Sequence, residues 1–209
     1  MSPLLIGYLG VILVPLFVAS WRLSLVGLMG QGLLLAWISY RLDPAVDTVD
    51  VWVSLVDFVV VRGLGAPIAL YAVLRAQRAS ARNDVMPPNL MSWTLAIVLV
   101  LVAFRFADLI VKAPGDDQTF VAVATAALLL GFLVLATQTG PFSQMMGALR
   151  IENAIALFEL GGPHDQEGLG LRIGQTSLVV TTILLFRWYL HTLPRQAAAK
   201  ASAVEGPTS

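Results

Sequence analysis

The residues able to do chemistry in this chain are charged and amide side chains set inside apolar stretches. Glu152 stands beside Asn153 and just after Arg150. Glu159 follows it by about two helical turns, which puts the two carboxylates on one helix face. Burial and a nearby arginine act in opposite senses on a carboxylate's affinity for its proton, so the protonation state of such a group responds to small changes around it. Proton transfer is therefore the first function considered for Glu152. The alternative is that Arg150 and Glu152 cap a short re-entrant helix or bind a neighbouring subunit's charge. Glu159 lies within a turn of the Gly161–Gly162 break, where it can reach external water, and ranks second as a proton carrier.

Arg62 and Asp57 share another apolar run. On a regular helix the two are about 140° apart around the axis, so they are expected to find partners on other helices. Both could line a polar axis shared with adjacent subunits, or form structural ion pairs across helices. Arg105 and Asp108 have the i, i+3 spacing of a pair on one helix and are expected to be structural. Gln31 and Gln175 are apolar-run amides that can hydrogen-bond between helices or hold water in a proton path, with interhelical adhesion preferred. His164 and His191 are too far apart in sequence to suggest a metal site. The sequence has no glycine-rich phosphate loop, no metal-ligand cluster and no nucleophile elbow, and so no sign of a self-contained catalytic site.

A charge near the centre of a bilayer costs roughly 2.5 to 3.5 kcal/mol on insertion scales, so such residues need partners, water or a function. A bilayer is the solvent this composition calls for. Of the 209 residues, 57% are hydrophobic and 12% charged, and the mean hydropathy is +0.80, too apolar for a soluble domain. The apolar stretches are continuous rather than alternating, which favours helices over a barrel. With no cysteine, the chain can ligate neither an iron–sulfur cluster nor a nickel–iron site through thiolates, and no cofactor is expected. Met1, Ser2 and Pro3 open the chain without a basic region or a cleavage site, so the first helix is expected to remain in the mature protein.

A spanning helix needs roughly 20 apolar residues, and seven runs are candidates: Leu4 to Ser20, Leu23 to Tyr40, Val51 to Leu74, Leu90 to Val111, Phe120 to Gln138, Met146 to Leu160 and Ile173 to Leu190. The expected fold is an all-α integral membrane protein of about seven transmembrane helices, forming one domain over 1–193. Breakers separate the runs at Pro87–Pro88, Gly140–Pro141 and Gly161 to Pro163. The sixth run is short for a full span, and the tail over 194–209 reads as disordered and cytoplasmic. With the N-terminus outside, Arg22, Arg75, Arg78, Arg82, Arg187, Arg195 and Lys200 fall on the cytoplasmic side. Arg41, Lys112, Arg172 and the acidic loops fall outside, as the positive-inside rule requires.

Two stretches share an arrangement of apolar helix, short turn and a second helix with one polar residue near its start: LFVASWRLSLVGLMGQGLLLAWI and LATQTGPFSQMMGALRIENAIALFEL. Aligning them sets Gln31 opposite Glu152 and suggests a three-helix repeat, runs one to three against five to seven. The segments SWRLSLVGLMGQGLLLAW, VRGLGAPIALYA and SQMMGALRIENAIALFEL together resemble hydrogenase-4 component E over most of the chain. The C-terminal part, 120–190, is also similar, more generally, to the small three-helix K-type subunit of respiratory complex I and to the C-type subunit of multisubunit cation/proton antiporters.

The resemblance implies a membrane-arm subunit beside antiporter-like subunits and a peripheral redox arm, in the cell inner membrane, whose buried carboxylates join a chain of polar residues along the membrane midplane. By resemblance Glu152 takes the place of the family's buried acid. Arg62 takes that of an intramembrane lysine ahead of the proline matched by Pro67, which keeps the charge and gives up easy deprotonation. Gln175 and Thr176 stand where the family has a last-helix carboxylate, so a complete proton path through this chain is in question. The function expected is a non-catalytic membrane subunit of a hydrogenase-4-like, complex I-related assembly, in which Glu152, Arg62, Asp57, Glu159 and Arg150 serve a proton or ion relay. The alternatives are a subunit of a cation/proton antiporter without a redox arm, or a structural scaffold.

Overall fold

A computed structural model describes residues 2–18, 20–44, 49–76, 90–111, 115–138, 140–161 and 169–204. The Pro87–Pro88 breaker, His164 and the Asp165/Glu167 loop lie outside the described residues. The chain is all-helical, with no strand among them. Its elements are α1 (Ser2–Phe17), α2 (Trp21–Leu42), α3 (Val49–Val56), a π-helical segment (Asp57–Gly65), α4 (Ala66–Ala76), α5 (Leu90–Ile110), α6 (Asp116–Thr137), α7 (Pro141–Leu160) and α8 (Leu169–Val204). The α3, π and α4 segments run on without a break, so the described helices number seven.

Four stretches are long and apolar enough to cross a membrane: Trp21–Leu42, Val51–Ala72, Leu90–Ile110 and Asp116–Thr137. The Pro3–Phe17 helix is apolar but shorter. The sixth run is longer than expected, because α7 starts at Pro141. Proline lacks only an N–H that the first helical turn leaves unbonded anyway, and its fixed φ suits that position, so Pro141 opens α7 as well as closing the helix before it. The tail expected to be unstructured from Pro194 instead continues α8 to Val204. Its run of alanines, the residue with the highest helix propensity, accounts for this.

Two hairpins, α1–α2 and α6–α7, pack against each other through α1 on α6 and α2 on α7. Leu5, Tyr8, Ile12, Leu35, Leu130 and Leu157 form the core between them. A second cluster, including Leu28, Leu70, Met145, Leu149 and Val179, ties α2, α4, α7 and α8 together. Helix α5 lays a small-residue stripe, Ala96, Ala103 and Ala107, on α6 and turns Ile97, Leu101, Phe104 and Leu109 outward. The polar residues Gln31, Asp57, Arg62, Arg150 and Asn153 are buried instead.

The π segment is where α2 comes closest. A Cβ on Gly32 would stand 2.5 Å from the backbone nitrogen of Gly63, so only glycine lets the two backbones touch. At the end of the segment the Ala66 N–H bonds to the Val61 carbonyl, an i→i+5 bond. Pro67 follows directly, with no N–H to return and a ring that needs room beside the preceding turn. The wide turns thus fall where the regular ladder is already interrupted.

Candidate functional site

The widened turn decides how Asp57 and Arg62 meet. An i→i+5 helix brings residues five apart onto one face, and Arg62 Nε donates to Asp57 Oδ2 at 2.8 Å with both side chains about 5% exposed. The sequence expectation that the two do not share a face is corrected: it assumed α-helical pitch. The other half of that expectation, partners on a different helix, holds for Arg62. Its Nη1 donates to the Glu152 carbonyl at 3.0 Å and to Asn153 Oδ1 at 3.2 Å. The guanidinium also lies 5.8 Å from the Phe58 ring centroid, one turn away, within cation–π range.

Asn153 passes the connection on. Its Nδ2 donates to Gln31 Oε1 at 3.3 Å, so a buried amide pair links α7 to α2 and Gln31 has the interhelical role expected of it. Glu152 points to another side of α7, where Thr182 Oγ1 donates to its Oε1 at 2.8 Å. Polar contacts therefore join α7 to α8, to the π segment and to α2, and make one layer centred on α7. Because Arg stays protonated, Arg62 cannot hand on a proton. Its Nε and Nη1 donors instead hold Asp57 and α7 in register.

Arg150 is buried but joins no ion pair among the described residues; its Nε and Nη2 have no hydrogen-bond partner there. It does lie within electrostatic reach of Tyr8, whose buried hydroxyl is likewise unbonded. Asp57 Oδ1, Glu152 Oε2 and Gln31 Nε2 join them as buried polar atoms without partners among the described residues. Such atoms cost free energy unless water or another group satisfies them.

Glu159 does not join Glu152. It lines a small cavity of about 20 Å³ with Asp57, Arg62, Gln175, Thr176 and Ser54. Gln175 is thereby drawn to the carboxylates of the π segment and α7. Arg105 and Asp108 pair as their spacing foretold, but loosely, at 3.8 Å and exposed. Sequence reasoning missed Thr182, Ser54 and Tyr8. Hydroxyls scattered through apolar helices carry no signal that picks these out, and only packing shows which face a carboxylate. No group of three or more His, Cys, Asp and Glu placed to hold a metal occurs among the described residues. No family model, curated protein or solved structure matches this chain.

Proposed function

We propose that this chain is a non-catalytic membrane subunit of a hydrogenase-4-like, complex I-related assembly, and that its buried polar layer serves an intramembrane proton or ion relay. The observation that carries this is the bridge at Arg62, one guanidinium holding Asp57, the Glu152 carbonyl and Asn153 in an apolar interior. Buried ion pairs add little net stability compared with apolar packing, because desolvation offsets their attraction. Ionisable residues at membrane depth instead mark ion paths by default.

Insertion in a bilayer belongs to the same proposal. It is supported by four helices of spanning length and by the outward apolar faces of α5 and α8. The seven-helix span, the N-terminus outside and the C-terminus in the cytoplasm of a cell with an inner membrane follow from the placement of basic residues. The three-helix repeat belongs to the same proposal and is supported by the shared order of a helical hairpin followed by a further helix, α1–α2 then α3–α4 and α6–α7 then α8. In this reading Glu152 and Asp57 are the proton carriers, Arg62 positions Asp57 and is itself held by Asn153, and partner subunits supply the redox energy.

Affinity purification in mild detergent with mass spectrometry of stoichiometric partners tests the assembly. Antiporter-like subunits together with cluster-bearing or nickel–iron subunits are expected. Antiporter-like subunits alone would overturn the redox-driven assignment.

A further inference from the structure

Asp57 lines two spaces of different character. One is an open, mostly apolar crevice of about 580 Å³ between α3 and α8, walled by residues that include Trp52, Val56, Ile173 and Val180. The other, a cavity of about 20 Å³, is lined by the polar residues Ser54, Asp57, Arg62, Glu159, Gln175 and Thr176 together with Phe58, Ala156 and Leu160. Roughly 10 to 15 Å³ of such space admits a water, provided two to four polar partners surround it. Asp57 Oδ1 belongs to a side chain 6% exposed and has no hydrogen-bond partner among the described residues.

This lining contains both donors, the Arg62 guanidinium and the Gln175 amide, and acceptors, the Asp57 and Glu159 carboxylates. A bare cation would face the Arg62 charge across this space, and an anion would face two carboxylates. Water both donates and accepts, and so fits the mixture. The larger crevice also carries the Thr176, Ser177 and Thr181 hydroxyls, but it is open and its wall is mostly apolar, so it does not enclose a single water among converging donors and acceptors.

Resting on the relay proposed above, we infer that this cavity is a binding site for a single water through which Asp57 exchanges protons with Glu159. That makes Glu159, half-buried in the last turn of α7, the mouth of the relay on that side. The step is a proton hop: the water gives a proton to one carboxylate as it takes one from the other, with no net change in the water.

Ala156 is buried and lines the cavity without any polar group. Ala156→Val fills the space and leaves every titratable group in place, while Glu159→Gln keeps the shape and removes the carrier. In the purified assembly reconstituted in liposomes, each is expected to slow proton uptake by about tenfold, the factor implied by losing one hydrogen bond to a charged group. The double variant should be no slower than either alone. Wild-type rates for both variants, with Glu152→Gln still defective, would overturn the water route and leave the relay standing. Wild-type rates for all three would overturn both. A high-resolution map of the wild-type assembly, which needs no variant to fold, is expected to show an ordered water within hydrogen-bond distance of Asp57 Oδ1. An ion or no density there would overturn the site.

Discussion

Arg62 and Asp57 are joined at 2.8 Å along a single helix because the backbone between them makes π-helical turns. In an α-helix the same two residues would diverge around the axis, and each would enter the apolar interior alone. The pair is therefore a property of the local backbone as much as of the two side chains.

Removing one member should cost more than removing both. Arg62→Ala leaves Asp57 charged and buried, a loss of about 3 to 5 kcal/mol. Asp57→Ala with Arg62→Ala should restore much of that stability, as read from detergent or denaturant unfolding of the purified chain. A double variant no more stable than Arg62→Ala would show that the pair does not act as a unit. Arg62→Lys should behave like a partial loss, since one ammonium cannot replace the separate Nε and Nη1 contacts to Asp57 and α7.

The close approach of α2 to the π segment makes Gly32 intolerant of a side chain. Gly32→Ala places its Cβ at 2.5 Å from the Gly63 nitrogen, and because the obstacle is backbone the helices must move apart. A destabilisation of about 1 to 3 kcal/mol, typical of overpacking, is expected in thermal unfolding. Gly7→Ala has no atom within 4 Å of the added Cβ and serves as the neutral control.

Asn153 uses both ends of its amide, Oδ1 toward Arg62 and Nδ2 toward Gln31. Asn153→Leu strands polar atoms on both neighbours, and a loss of about 1 to 3 kcal/mol is expected. A double-mutant cycle with Gln31→Leu should show the two coupled. Additive losses would mean that the Gln31–Asn153 bond contributes nothing.

How much of this was legible in the sequence depended on period. The helices could be read because apolar runs broken by Gly, Pro and charge survive any change of pitch. Pro141 misled only the start of α7, because the same residue can end one helix and open the next. The Asp57–Arg62 pair could not be read, because the hydropathy of Val51 to Leu74 is unchanged whether the backbone closes four residues back or five. Gly63, Gly65 and Pro67 were the available clue to an irregular turn there. That Gln31 joins helices could be read from an amide in an apolar run, whereas its partner Asn153 could not, because the alignment set Gln31 opposite Glu152 as an equivalent position. Nor could the faces of Glu152 and Glu159 be read, since the α-helical phase that groups them says nothing of where α8 lies.

Thr182 gives Glu152 its only side-chain hydrogen bond among the described residues. Thr182→Val keeps the shape and removes the donor. Proton translocation by the reconstituted assembly should fall, while the unfolding midpoint moves by no more than about 1 kcal/mol equivalent. Unchanged translocation would make that bond incidental.

The most direct test of the relay is Glu152→Gln in the intact assembly, with proton translocation measured in sealed vesicles and assembly checked by native gel. Glutamine keeps the size and the Thr182 contact of the side chain but carries no titratable proton. Full assembly with translocation abolished or strongly reduced is the expected result. Full assembly with translocation at the wild-type rate would contradict the account and leave the polar layer a structural one.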